Sequence, residues 1–145
     1  MKLEDALVEK VLDEADVITC TLVGVTSRYL KHRKFYTVVI DEAAQALEAA
    51  TWIPISRSQK VILAGDPLQL PPTVKSAKAG KEGLNTTMLE SCINKHERVS
   101  LLDTQYRMNE QIMGFSNREF YKDALKADVS VVNHGIDEEL SLIHI

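Results

Sequence analysis

The stretch VVIDEAAQ, Val38 to Gln45, runs β-branched residues into two adjacent carboxylates, Asp41 and Glu42, and then turns small and polar. With Phe35, Tyr36 and Thr37 ahead of it, this is a short apolar segment ended by charge, the pattern of a buried strand. Good helix formers fill Ala43 to about Trp52, and Pro54 limits how far that helix runs. Asp41 and Glu42 therefore stand where a strand hands over to a helix.

The same alternation extends outward from this point. Leu3, Leu7 and Val11 recur every four residues among charges, which predicts a helix over 2–15 with one apolar stripe. VITCTLVG, Val17 to Gly24, and KVILAGD, Lys60 to Asp66, read as strands, as does RVSLLDTQY from Arg98. Thr87 with Glu90 three later has capping-box spacing and starts a helix carrying Met88, Leu89, Cys92 and Ile93 inward. A further helix is predicted from Asn109 to about Tyr121, with Ile112, Met113 and Phe120 on one side. Nearly wholly apolar strands alternating with helices imply an α/β architecture, a parallel sheet covered on both faces. In such sheets ligands gather beyond the carboxyl ends of the strands. The residues falling there are Thr21, Asp41 with Glu42, Asp66, and Tyr106 with Arg107.

Composition narrows the function. The chain has 145 residues, 45% of them apolar, enough for one ordinary domain with a core. Seventeen basic residues against 21 acids give a net charge of -4, so contact with nucleic acid has to come from local patches. Cys20 and Cys92 show no disulfide framework, and His32, His96, His134 and His144 have no metal-ligand spacing. The amino terminus is too charged for a signal peptide, and no apolar run approaches the roughly 18 residues of a membrane span. The chain reads as soluble and intracellular, cytoplasmic or nuclear.

An Asp-Glu pair at a strand end suits nucleotide hydrolysis, the aspartate holding a cation that bridges phosphates and the glutamate polarising the attacking water. Taken alone, the pair reads first as helix caps beside the positive end of a helix dipole. VILAGDPLQLPPT, Val61 to Thr73, adds a second strand ending in Gly-Asp, with Gln69 on a turn stiffened by Pro71 and Pro72. An amide held there can report on a phosphate oxygen or a water. The bland reading is a tight surface turn with Gln69 solvated.

VVIDEAAQ, AGDPLQLPPT and TQYRM, in this order and at about these distances, resemble motifs II, III and IV of superfamily 1 helicases of the up-frameshift-like branch, and within it the immunoglobulin mu-binding protein type. The resemblance runs from about Ala15 to His134. It implies a RecA-like parallel sheet covered by helices, of the P-loop NTPase type: a partial first lobe at 1–102 and the beginning of a second at 103–145. It further implies ATP and Mg²⁺ as cofactors and single-stranded DNA or RNA as partner. Asp41 would help to hold Mg²⁺ and Glu42 would activate the hydrolytic water. Gln45 and Gln69 would lie near the γ-phosphate, with Asp66 supporting motif III. Tyr106 would stack on the adenine, and Arg107 would reach the phosphates as an arginine finger does. Thr21 falls in the segment that touches the nucleic-acid backbone in the family.

Two basic clusters stand beside these motifs. RYLKHRK, Arg28 to Lys34, packs Arg28, Lys31, Arg33 and Lys34 around Tyr29, which suits a phosphate backbone with a base against the ring, or solvated surface. Lys75, Lys78 and Lys81 would share a helical face turned to solvent.

The sequence contains no G-x-x-x-x-G-K-[S/T] phosphate loop, and nothing resembles motifs V and VI. The expectation is a helicase fragment inactive alone, in need of the loop and the rest of the second lobe. The alternatives are a non-catalytic α/β module that binds nucleic acid or a partner, and a structural domain whose acids are only caps.

Overall fold

In a computed structural model of the chain, residues 3–95, 98–132 and 134–135 are described. The chain divides into two compact units, Met1–Glu97 and Arg98–Ile145.

The first unit is built on the quoted stretch. β1, Phe35–Ile40, pairs in parallel with β2, Ser58–Leu63, in a register that sets Val38 opposite Val61, Val39 opposite Ile62 and Ile40 opposite Leu63. The crossover is short. A single 3₁₀ turn, Ala43–Gln45, leaves β1, and helix α2, Glu48–Ile55, returns the chain to β2. The predicted helix from Ala43 thus begins late, because the first turn after the acids is spent against β2. Pro54 is accommodated in the last turn of α2, one residue before its end.

One face of the β1–β2 pair makes the core. Ile40, Ala43, Ala44 and Leu89 are buried together, and Leu22, Val38, Ile55, Leu63 and Ile93 pack against them. Leu89 belongs to α4, Met88–Ile93, which starts as expected at a reciprocal capping box. The Glu90 amide donates to Thr87 Oγ1 at 3.1 Å, and the Thr87 amide donates to Glu90 Oε2 at 2.8 Å. Between β2 and α4 lies α3, Ala77–Ala79, continued by a π turn over Gly80–Leu84.

Gly65 fixes how closely the two strand ends approach. A Cβ there would stand 2.9 Å from both the Ala43 and Ala44 amide nitrogens and 3.2 Å from Leu89 Cδ2. The Ala43 amide donates to the Ala64 carbonyl at 2.8 Å, and the Ala64 amide to the Ile40 carbonyl at 2.9 Å. These contacts extend the ladder past the last paired residues and stitch the two exits together.

Three further expectations for the first unit are corrected. Val17 to Gly24 forms no strand: it lies beside β1 across a cavity of about 1170 Å³ and ends in a 3₁₀ turn, Gly24–Thr26, with Val17 and Val23 exposed. β-branched propensity makes a strand only where a ladder is in reach. The sheet is not covered on both faces among the described residues, since Val39 and Ile62, opposite each other, are 62% and 43% exposed. Helix α1, Leu3–Glu14, does form, but its stripe of Leu3, Leu7 and Val11 faces solvent.

In the second unit, β3, Thr104–Gln105, pairs in parallel with β4, Lys126–Ala127. The strand predicted from Arg98 shrinks to those two residues, and Val99, Leu101 and Leu102 are exposed. Helix α5, Glu110–Tyr121, starts where expected, with Asn109 Oδ1 accepting from the Ile112 amide at 2.9 Å. It buries Met113 and Asn117 and leaves Ile112 and Phe120 about half exposed. Asn117 pins the return to β4: its Nδ2 donates to the Leu125 carbonyl at 3.0 Å, and its Oδ1 accepts from the Leu125 amide at 2.9 Å.

The close approach at Gly65 gives a paired test. Gly65→Ala forces its Cβ onto backbone nitrogens that cannot swing away, and costs about 1–3 kcal/mol in urea unfolding. Gly80→Ala, at φ -60° with its nearest neighbour 4.0 Å away, is neutral or stabilising by about 0.4–1 kcal/mol. Equal midpoints for the two variants would refute the packing argument.

Candidate functional site

The parallel pair carries both acid-bearing turns out of the same end of the sheet, because Ile40 and Leu63 are in register and Asp41 and Ala64 come next. Asp41 is exposed, and its Oδ1 accepts the Glu42 amide at 3.0 Å. Glu42 is held in the left-handed region, φ 52° and ψ 38°, an uncommon conformation for a residue with a side chain. That twist lets Ala43 drop to the Ala64 carbonyl while the Glu42 side chain stays at the surface, where its Oε2 accepts from Gln45 Nε2 at 3.1 Å.

The second turn repeats the device. Asp66 Oδ1 accepts the Leu68 amide at 3.0 Å, and Oδ2 accepts from Gln69 Nε2 at 2.8 Å. Each turn thus carries an acid with a glutamine three residues on, the amide resting on the carboxylate. Ala43 and Ala44 beneath them are buried, which explains why DEAAQ turns small directly after its acids.

A magnesium ion keeps several waters and takes one or two protein carboxylates, the remainder coming from substrate phosphates. Asp41, exposed at the strand end, fits that demand. Among the described residues no three His, Cys, Asp or Glu side chains gather into a metal cluster.

The second unit presents Tyr106 and Arg107 on the turn after β3. Both are exposed, Tyr106 to 66%. Gln105 shapes this turn: its Oε1 accepts the Arg107 amide at 2.9 Å and the Met108 amide at 2.8 Å, and its Nε2 donates to the Met108 carbonyl at 2.6 Å. Gln105 stands inside the quoted TQYRM, yet no spacing marks this role, since a glutamine before two exposed residues has no distinctive pattern. Next to it Asp103 is bound to Lys126 Nζ at 2.8 Å and to Thr104 Oγ1 at 3.1 Å. Lys126, first, and Thr104 hold the Asp103 carboxyl below the ordinary aspartate range, while Asp103 raises the Lys126 ammonium.

The other sequence candidates fall elsewhere. Thr21 Oγ1 accepts the Gly24 amide at 3.0 Å, a local turn bond. Arg28 and Arg33 are engaged by α1: Arg28 donates to Asp5 at 2.8 Å, and Arg33 to Glu9 at 2.5 Å and Asp13 at 2.6 Å. Lys31 is exposed. The acids on α1 were not singled out from sequence, although Asp5, Glu9 and Asp13 recur every fourth residue. Lys78 pairs with Glu82 at 3.9 Å at the surface.

A parallel strand pair bridged by a helix and ending in an Asp-Glu turn and a Gly-Asp turn is an α/β arrangement, and the family matches make it P-loop NTPase-like. Two family profiles, each described as an AAA domain, match residues 1–77 and 84–143. An uncharacterized ATP-dependent helicase of Methanocaldococcus jannaschii is 46% identical over 133 residues, 91% of this chain and 20% of that protein. DNA-binding protein SMUBP-2 of Mesocricetus auratus is 41% identical over 137 residues, 90% of this chain and 14% of that protein. ATP-dependent helicase NAM7 of Saccharomyces cerevisiae is 39% identical over 123 residues, 84% of this chain and 13% of that protein. The chain belongs to the AAA-domain family, in the up-frameshift-like branch of superfamily 1 helicases. It spans a fifth or less of the length of these three relatives.

Two measurements check the local physics. Glu42→Gly and Glu42→Ala both delete the carboxylate, but only glycine fits φ 52° without strain, so the glycine variant is the more stable by about 1 kcal/mol; the reverse order in thermal unfolding would mean that the turn is not left-handed. For Asp103, a depressed carboxyl pKa adds stability above the unfolded value, lost as pH falls through the folded one. The raised Lys126 adds stability below its unfolded value, lost as pH rises through the folded one, so the pair acts from about pH 4 to 10. Lys126→Met returns the Asp103 carboxyl toward the ordinary range in a carbon-detected NMR titration, and an unmoved midpoint would remove the pair from the argument.

Proposed function

We propose that the parent of this chain is an ATP-dependent helicase that couples nucleotide hydrolysis to movement on single-stranded DNA or RNA. The observation carrying this reading is the pair of acid-and-glutamine turns, at Asp41 to Gln45 and Asp66 to Gln69, set at one end of a parallel strand pair by the Gly65 approach. ATP and Mg²⁺ would supply the transferable phosphoryl group and the charge that neutralises it. Asp41 would help to hold the cation, through surrounding water. Glu42 would accept a proton from the attacking water, steadied until then by Gln45. Gln69, released from Asp66, would contact the γ-phosphate region. Tyr106 would stack on the adenine, and Arg107 would stabilise charge developing on the phosphoryl group.

In this reading residues 1–102 belong to a first RecA-like lobe and 103–145 begin a second. The phosphate cradle, motifs V and VI and the rest of the second lobe are further parts of the parent. The 145-residue chain by itself then hydrolyses no ATP above background, since a base and an arginine are of no use where the nucleotide is not held. The setting is intracellular, cytoplasmic or nuclear.

The test uses the parent protein. Glu42→Gln keeps most nucleotide affinity and lowers nucleic-acid-stimulated hydrolysis by about two to four orders of magnitude. Arg107→Lys also lowers turnover strongly, because a point charge does not reproduce the planar fork of a guanidinium. Wild-type turnover in both variants would reduce these residues to a cap and a surface charge.

A further inference from the structure

The segment Arg28 to Lys34 and helix α1 are joined by a row of ion pairs, beside the half-buried Ala6, Val8 and Leu12 of the helix. Asp5, Glu9 and Asp13 occupy one side of α1, about 6 Å apart along its axis. Arg28 Nη2 donates to Asp5 Oδ1 at 2.8 Å, and Arg33 closes on Asp13 through Nη1 and on Glu9 through Nη2. Tyr29 joins in, its hydroxyl donating to Asp5 Oδ1 at 2.9 Å, its carbonyl accepting Arg33 Nε at 3.1 Å, and its ring lying 4.5 Å beneath the Arg28 guanidinium. No residue of α1 is buried, and Leu3, Leu7 and Val11 on its outer side are 89%, 63% and 59% exposed. Apolar burial on this helix is therefore partial, confined to Ala6, Val8 and Leu12. Each pair keeps at least one partner in reach of solvent, Arg28 and Asp13 most of all, and such pairs are individually weak and screened by salt, so the contact is one that another anion can replace.

A guanidinium fork recognises the oxygens of a carboxylate and of a phosphate by the same paired geometry. A row of carboxylates at helical spacing offers the two arginines what a phosphodiester backbone would offer. Behind them Tyr29 is a flat ring already stacked on a cation, the combination that sequence-tolerant single-strand binding uses. Lys31 and Lys34 are exposed on the same short segment. We propose that Arg28, Arg33 and Tyr29 form a binding site for the phosphate backbone of a single-stranded nucleic acid, and that the acidic side of α1 is a built-in competitor which occupies this site until a strand displaces it. The inference rests on the nucleic-acid part of the reading above and adds to it a site and its regulation.

The experiment measures binding of a labelled 20-nucleotide oligo-dT and oligo-U by fluorescence anisotropy, at several salt concentrations. Four forms of the chain are compared: wild type; Asp5→Asn, Glu9→Gln, Asp13→Asn together; the same three with Arg28→Ala and Arg33→Ala; and a charge control with Asp16→Asn, Glu110→Gln, Glu119→Gln, three exposed acids. The first triple variant binds about five- to tenfold more tightly than wild type at low salt. Its plot of log affinity against log salt is steeper by about 1.4, as two newly available arginines require. The arginine-free form loses that gain, the control triple does not show it, and adding oligonucleotide to wild type speeds amide exchange along α1. An equal gain in the charge control, or a gain that survives loss of both arginines, makes the effect bulk charge and overturns the proposal. Absence of oligonucleotide binding in all four forms also overturns it, while the hydrolytic reading stands or falls separately on Glu42→Gln in the parent.

Discussion

The arrangement of the first unit depends on a contact that only a glycine permits. Gly65 lets the backbone after β2 lie against the Ala43 and Ala44 amides, and the Ala43–Ala64 and Ala64–Ile40 hydrogen bonds close the space. Buried backbone groups need such partners, and here they find them between two loops rather than within a regular ladder. Small residues at 43, 44, 64 and 65 follow from that proximity. With the inner side of both turns committed to backbone contacts, the acids have only the outer side left to occupy.

That outward placement is completed by amides supplied from within the same turns. Gln45 rests on Glu42 and Gln69 on Asp66, each over three residues of chain. A carboxylate held by a neutral amide gives up little of its reach, since the partner is an exposed side chain that can turn to another acceptor. The Glu42 backbone conformation is the cost of this geometry, of the kind found where a scaffold holds a residue in place for use rather than for stability.

Much of this was legible in the sequence where local chemistry decides. The Thr87–Glu90 capping box, the start of α5 at Asn109 and the strand before Asp41 are fixed by residues within a turn of each other. Other elements depended on partners the local pattern does not name. Val17 to Gly24 has the composition of a strand and lacks a ladder; β2 ends at Leu63 because Gly65 and Asp66 are taken up by turns. Periodicity identified the apolar stripe of α1 but not which side would dock, a choice made by arginines some twenty residues further on. The motifs themselves were readable as a set, whereas the internal partners of Gln45, Gln69, Arg28 and Arg33 required three-dimensional neighbours.

In the second unit, scaffold and display are divided between adjacent residues. Gln105 spends its whole amide on the backbone of Arg107 and Met108, accepting twice and donating once. A glutamate there would lack the donor, and an asparagine would fall a methylene short, so the position has little freedom to drift. Tyr106 and Arg107, by contrast, contribute only backbone to the shape of the loop. Their side chains can be exchanged for others without rebuilding it, which makes this turn a fixed mount whose chemical fittings are interchangeable.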